Sequence, residues 1–325
     1  MKKTAIAPSN IAFIKYWGRK NEELKIPENG SISMNLSNLK TTTTVEFDTS
    51  LKTDSIAIDG KTLKDEEVRV IKQLDRIRKM AEITTKAKVV STNNFPSGTG
   101  LSSSASGFAA LTLAATKAAG LSLTEKELSI LARPGSGSAC RSIPNGFTEW
   151  LDGEASDTSY AVSLYPKDYW NICDVVVVAS NEKKIVSTTE GQKLSKTSPF
   201  FATRLKNLPA KIKLVKKHLK EKNFASFGEL IESEALELHS IMLTSTPSLI
   251  YLLPNTLRII QSVKLWRTQG VAVYFTLNTG QDVHLICQEK DVKKVASLAK
   301  ALNGVHDTII NSTADGTKLS ENHLF

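Results

Sequence analysis

The sequence predicts a two-domain fold of mixed helices and strands with a binding cleft between the domains, and three observations predict it. At 325 residues the chain exceeds the usual size of one domain. Strand-like and helix-like periodicities interleave along the first half, and a mostly helical region follows before strands return. Between these regions residues 182–198 turn polar, which places the domains at 1–182 and 183–325.

Composition is that of an ordinary globular protein, with 41% hydrophobic and 23% charged residues. A net charge of +9 suits anionic partners such as nucleotides or phosphorylated metabolites. The lysines are scattered, with short clusters such as Lys213, Lys216 and Lys217, and no basic stripe interleaves with aromatics, so nucleic acid is not an expected partner. Cys140, Cys173 and Cys287 are far apart and lack metal-site or disulfide spacing. The apolar run from Thr4 to Ile14 is broken by Pro8, Ser9 and Asn10, unlike a signal peptide, and no stretch approaches the ~20 apolar residues that span a bilayer. A soluble, cytoplasmic protein is expected.

Residues 4–16 alternate as a strand and end in Lys15-Tyr16-Trp17-Gly18-Arg19. This cluster reads equally as a cap over the core or as a grip on a phosphate, with Tyr and Lys donating to one anion. Strands are expected at 31–36 and 41–48, with a hairpin near Asp59-Gly60. Val68, Ile71, Leu74, Ile77 and Met80 recur every third position and predict an amphipathic helix over 65–82. A strand at 86–92 leads into residues 93–107, a loop dense in Gly and Ser that opens an Ala-rich helix over 104–119. Gly98 and Gly100 permit close backbone approach, and Ser102, Ser103 and Ser104 set hydroxyls and free N–H groups at the helix start. Such a loop is either a phosphate cradle at the positive end of a helix or a solvated loop with an N-cap.

Thr124 and Glu127 form a capping box for the next helix. That helix runs into Gly135-Ser136-Gly137-Ser138-Ala139-Cys140-Arg141-Ser142, where small residues surround one arginine. Alone, this segment reads as a surface loop with an exposed Arg141; at the floor of a cleft, the guanidinium fork would hold a carboxylate. Strands are expected at 147–151, 160–164 and 174–179, the last buried on both faces. Helices follow at 199–220, 223–245 and 254–269, then strand 271–277, strand 283–287, helix 290–302 and strand 305–311. In the Gly loop between the first two of these strands, Asp282 and His284 read as turn or strand residues rather than catalysts.

Four segments together resemble the diphosphomevalonate decarboxylases of the GHMP small-molecule kinase superfamily: Ala7–Ala12 running into Lys15–Gly18, the Pro96–Gly107 loop, Gly135–Ser142 and Ser187–Gly191. The resemblance implies an α+β GHMP kinase-like fold in which ATP, Mg²⁺ and a mevalonate-derived substrate meet between the domains. It implies that Gly98, Gly100, Ser102, Ser103 and Ser104 hold the ATP phosphates, with Ser104 a candidate metal contact. Lys15, Tyr16, Arg19, Ser136, Ser138 and Thr188 would hold the substrate, and Arg141 its C1 carboxylate, in a homodimeric enzyme. The implied chemistry phosphorylates a tertiary C3 hydroxyl and then expels that phosphate with CO2, giving isopentenyl diphosphate.

Three departures stand out: Arg19 where the family usually has Lys, Pro134 ahead of the Gly-Ser segment, and Asn278 where the family carries an Asp against the C3 hydroxyl. Asn accepts a hydrogen bond but cannot take the proton. Three readings follow: a decarboxylase that dispenses with the base, a related substrate or a kinase that stops after phosphorylation, or a non-catalytic ligand-binding homologue. Asp282, four residues on, is a candidate substitute carboxylate.

Overall fold

The computed structural model describes residues 1–61, 64–95, 101–180, 182 and 184–325. Gly98 and Gly100 lie outside them.

The first sheet is built on two long strands. β1 (Lys2–Ile14) pairs antiparallel with β4 (Ser31–Asp48). The connection between them carries a small antiparallel ladder, β2 (Arg19–Asn21) with β3 (Ile26–Pro27). The two strands expected at 31–36 and 41–48 are one. The expected break survives as a register shift, in which Pro8 faces Lys40 while Asn10 faces Asn35. Leu39 within the intervening stretch and Leu36 just before it are fully buried, so packing keeps the stretch in the sheet. Pro8 lacks the N–H that a regular ladder needs, and the irregularity falls beside it.

After β5 (Ser55–Ile58), Asp59 and Gly60 turn with positive φ. The turn leads to α1 (Lys64–Ala81), then to β6 (Lys86–Asn93), which pairs with β4 and, in parallel, with β5. Helices α2 (Ser103–Ala118) and α3 (Glu125–Ala132) cover this sheet. α2 succeeds as a central helix because Ala109, Ala110, Ala114 and Ala115, all fully buried, let its backbone approach β1 and β4 closely. The expected capping box of Thr124 and Glu127 is formed. A 3-10 turn over Gly137–Ser142 follows, and β7 (Phe147–Trp150) and β8 (Ala161–Tyr165) complete that edge.

β9 (Ile172–Val178) belongs to a second sheet, between strands met later. Its residues are all buried, as its Val run predicts, and they alternate between two cores. Val176 and Val178 join a core shared with Ile11, Phe13 and Ile32 of the first sheet, whereas Val175 and Val177 join the core of the second half. The two halves thus share one apolar layer, and the polar cleft lies beside it.

The polar stretch contains α4 (Thr188–Lys193), capped by Ser187. α5 (Phe201–Glu221), α6 (Phe224–Leu243) and α7 (Pro254–Thr268) follow. β10 (Val273–Thr276), β11 (Val283–Gln288), α8 (Val292–Lys300) and β12 (Asp307–Ser312) complete the second sheet in the order β10, β11, β9, β12. β13 (Lys318–Ser320) then returns to pair with β1 of the first sheet, a link the sequence did not announce. Among the described residues no helix is long and apolar enough to cross a membrane.

Candidate active site

A cleft of about 880 Å³ opens between the end of β1, the start of α2, the 3-10 turn, α4 and the β10–β11 loop. Every described residue that the resemblance assigns to the site lines it: Lys15, Tyr16 and Arg19; Ser102, Ser103 and Ser104; Ser136, Ser138 and Arg141; Thr188 and Asn278. Their spacing in sequence exceeds 250 residues, so only the fold brings them together.

Arg141 is the clearest case. The segment does not form a surface loop: the 3-10 turn is buried, and Arg141 is only 4% exposed. Its Nε donates to Ser33 Oγ (3.1 Å), Nη1 to Ser31 Oγ (2.6 Å) and Nη2 to Asn10 Oδ1 (3.2 Å). All three acceptors are neutral, and among the described residues Arg141 has no carboxylate partner. A guanidinium has five N–H donors, so one remains on each terminal nitrogen, the pair that a carboxylate accepts. Burial lowers its pKa, the direction expected of a cation awaiting its counter-ion.

Lys15 is also buried, and burial pushes its ammonium down to about 7 against the opposing field of Glu234. Its Nζ donates to the Ala12 carbonyl. Tyr16 stacks at a tilt on Trp150, with ring centroids 4.7 Å apart, and its hydroxyl accepts from Arg19 Nε at 2.6 Å. The hydroxyl proton thus stays available for an anion. Arg19 is fixed from its other side by Glu22 at 2.6 Å. Trp17 is wholly buried and serves the core, not the ligand.

Ser102 caps α2 in the left-handed region (φ 59°, ψ 34°) without a side-chain cap bond; the Ala105 N–H donates to the Ser102 carbonyl at 2.8 Å, which leaves the N–H groups at the very start of the turn to face a ligand. Ser102 Oγ instead accepts from Asn278 Nδ2 at 3.1 Å, a link across the cleft. Ser104 Oγ lies 3.1 Å from Ser136 Oγ. The backbone carbonyl of Asn278 meets His239 Nε2 at 3.0 Å, and burial drives that imidazole down to about 4, keeping it neutral. Asp282 is corrected as a candidate base. It does not line the cleft, and its Oδ1 accepts the Ala179 N–H at 3.0 Å. His284 is likewise a core residue, 2.8 Å from Asp174.

Sequence reasoning missed three cations. Lys25 and Arg69 both donate to the Gly135 carbonyl, at 2.7 and 3.0 Å. Lys184 Nζ donates to Thr188 Oγ1 (3.0 Å) and Thr279 Oγ1 (3.1 Å), and burial lowers its ammonium to about 8. Isolated lysines at these positions carry no local signal. Among the described residues there is no cluster of His, Cys, Asp or Glu able to cage a metal.

A two-domain α+β fold with a cation-lined cleft at a helix N-terminus defines an enzyme of the GHMP small-molecule kinase type, built to bring two anionic ligands together. Two family models match the chain: a diphosphomevalonate decarboxylase-like N-terminal domain over residues 7–161 and a mevalonate 5-diphosphate decarboxylase C-terminal domain over 174–323. The chain belongs to the diphosphomevalonate decarboxylase family. It is 36% identical to the diphosphomevalonate decarboxylase of Candida albicans over 310 residues, covering 90% of this chain and 86% of the relative. The crystal structure of the mevalonate diphosphate decarboxylase from Staphylococcus aureus superposes with a TM-score of 0.94 at 34% identity, covering 98% of each chain. A solved complex of a protein designated MDDEF with MVAPP, AMPPCP and magnesium superposes with a TM-score of 0.92 at 35% identity, covering 99% of each chain.

Proposed function

We propose that the protein uses ATP to decarboxylate mevalonate 5-diphosphate, and that the cleft residues divide the work between the two ligands. The observation that carries this reading is Arg141, a buried guanidinium whose protein partners are all neutral and whose two remaining N–H groups match one carboxylate. Family membership and the solved complex with an ATP analogue, magnesium and MVAPP support the choice of ligands.

Lys15, Tyr16 and Arg19, with Ser136, Ser138 and Thr188, hold the phosphorylated end of the substrate, and Arg141 holds the C1 carboxylate. The first turn of α2, with Ser102, Ser103, Ser104 and the glycine loop ahead of it, takes the ATP phosphates. Chemistry begins when the C3 oxygen attacks the γ-phosphorus and ADP leaves. The C1–C2 bond then breaks to release CO2, its electron pair forms the C2–C3 double bond, and the C3–O bond breaks to release phosphate. The protein's share is positioning and charge stabilisation, as in other phosphoryl transfers.

Asn278 fits a site in which no carboxylate deprotonates C3–OH. Its amide oxygen orients the hydroxyl, and a loose transition state needs little proton removal at the start. Mg²⁺, when bound with the nucleotide, neutralises phosphate charge. The hydroxyl donors of Ser103 and Ser104, without a carboxylate cage among the described residues, suit a hard ion held mainly by phosphates and water.

The division between the halves is better drawn ahead of Ile172 than near 182, because β9 pairs within the second sheet. A cytoplasmic homodimer is the expected form, supported by three free, buried cysteines and by family habit.

Incubation with ATP and mevalonate 5-diphosphate should yield ADP, phosphate and CO2 in equal amounts. ADP without CO2 would identify a C3 kinase. Turnover confined to phosphomevalonate or 3,5-bisphosphomevalonate would move the substrate assignment, and ligand binding without turnover would identify a non-catalytic homologue.

A further inference from the structure

Two fully buried side chains outside the cleft hold its substrate side from behind. Glu234 of α6 and Arg204 of α5 are both 0% exposed at the side chain and pair at 2.5 Å. Each also reaches the backbone of Lys15. Glu234 Oε1 accepts the Lys15 N–H at 3.1 Å, and Arg204 Nη2 donates to the Lys15 carbonyl at 3.2 Å. Asn29 Nδ2 donates to the same carbonyl at 2.9 Å. Behind the pair, Lys211 bonds Glu234 Oε2 (3.0 Å) and Glu237, and Arg204 Nη1 bonds Glu237 Oε1 (3.0 Å). Two cations and two carboxylates make this network neutral.

A pair that only tied α5 to α6 would have no use for the β1 backbone. Burying two charges is expensive, and a well-packed apolar pair in the same place is often as stable or more so. Here the charged pair grips both polar groups of one residue, at the point where β1 ends and the Tyr16–Arg19 segment enters the cleft. The charges facing Lys15 are Glu234, Arg204 from α5, Arg141 from the 3-10 turn and Asp174 from β9, and the titratable but neutral His239 faces it from the same helix as Glu234. Glu234 contributes the largest of the fields favouring the ammonium.

We propose that Glu234, braced by Arg204, is a positioning residue for the substrate grip, fixing the Lys15 backbone and setting a negative charge behind it that favours the ammonium form which meets the phosphorylated end of the substrate. The inference rests on the functional reading above and adds a C-terminal residue pair that touches no ligand but sets the substrate's affinity.

Glu234→Gln keeps the shape and one acceptor while removing the charge. The expected result is a KM for mevalonate 5-diphosphate raised about tenfold, a KM for ATP within about twofold of wild type, and an alkaline limb of kcat/KM moved to lower pH. Glu237→Gln, which removes a neighbouring charge without touching Lys15, should leave all three unchanged. An unmoved substrate KM and alkaline limb in folded Glu234→Gln, or the same shifts in Glu237→Gln, would overturn the proposal. If Glu234→Gln fails to fold, the neutral double variant Arg204→Gln/Glu234→Gln removes the buried charges together. An unchanged substrate KM there would equally overturn it. Calorimetric binding of mevalonate 5-diphosphate reads the grip without turnover. A wild type that binds but releases no CO2 thus fails the functional reading alone, and Glu234→Gln binding like wild type fails this one.

Discussion

In the function proposed above, Arg141 and Asn278 occupy the two positions where single atoms decide the chemistry. Arg141 has its Nε and one N–H of each terminal nitrogen already committed to Ser33, Ser31 and Asn10, so its orientation is fixed before any ligand arrives. Arg141→Ala should lower the rate of CO2 release by about 10²–10³-fold, the range seen when one preorganised charge contact is lost, while the KM for ATP changes little. Steady-state assays of CO2 and ADP check it, and equal losses in ATP affinity would place the residue elsewhere. Asn278 differs, because its side chain also donates to Ser102 across the cleft. Asn278→Ala removes that donor and the acceptor for the C3 hydroxyl together, and a net hydrogen bond of about 1–1.5 kcal/mol predicts a kcat near a tenth of wild type. A pH–kcat profile of the wild type should lack an acidic limb. An acidic limb would show that a titrating group elsewhere in the cleft takes the C3 hydroxyl proton, and would overturn this reading of Asn278.

At the scale of elements, the 3-10 turn and the end of β1 are fitted to each other without spare room. A Cβ built on Gly137 would lie 2.7 Å from Tyr16 Cε1, and that ring is backed by Trp150. With Trp150 buried behind it the Tyr16 ring must tilt to make room, so Gly137→Ala should destabilise the protein by about 1–3 kcal/mol and swing the Tyr16 hydroxyl out of place. Thermal melts and the substrate KM, expected to rise while the ATP KM holds, measure the two effects. The same contact shows what the sequence could and could not disclose. Local patterns announced α1, α3 with its capping box, the buried valines of β9 and the helices from 201 to 268, because each depends on neighbours a few residues away. The sequence pattern splits the long β4 into two strands, because the burial of Leu36 and Leu39 that keeps it continuous is tertiary packing with no local signature. Arg141 looked like an exposed loop residue for the same reason: Ser31, Ser33 and Asn10 come from other strands, and no local period encodes their approach. Lys25, Lys184, Arg204 and Glu234 gave no motif at all. Their meaning arises from distant partners, and a lysine or glutamate on a helix ordinarily signifies only a solvated face.

For the whole molecule, assembling the cleft concentrates positive charge where water is scarce, and this couples folding, ligand binding and pH. Burial lowers Lys15 and Lys25 to about 7 and Lys184 to about 8, whereas in the unfolded chain a lysine titrates near 10.4. Between about pH 7 and 8.5 the unfolded state therefore binds more protons than the native one, and stability must rise with pH. From about pH 8.5 the thiols oppose this rise: they begin to ionise in the unfolded chain, while in the fold burial holds Cys173 up to about 11 and Cys140 up to about 12, so the climb flattens. An anionic ligand acts in the opposite sense. It prefers the protonated lysines, so its binding takes up protons over the window in which the free cleft has lost them. The melting temperature of the free protein should thus climb from pH 7 to about 8.5, while the additional rise caused by saturating mevalonate 5-diphosphate shrinks over the same interval. Calorimetric titrations at pH 8 in two buffers of different ionisation enthalpy should show net proton uptake. A ligand-induced shift that stays constant across this window would mean that the buried lysines keep their charge in the free protein, and that the cleft is held ready by counter-ions rather than by neutral lysines awaiting a phosphate.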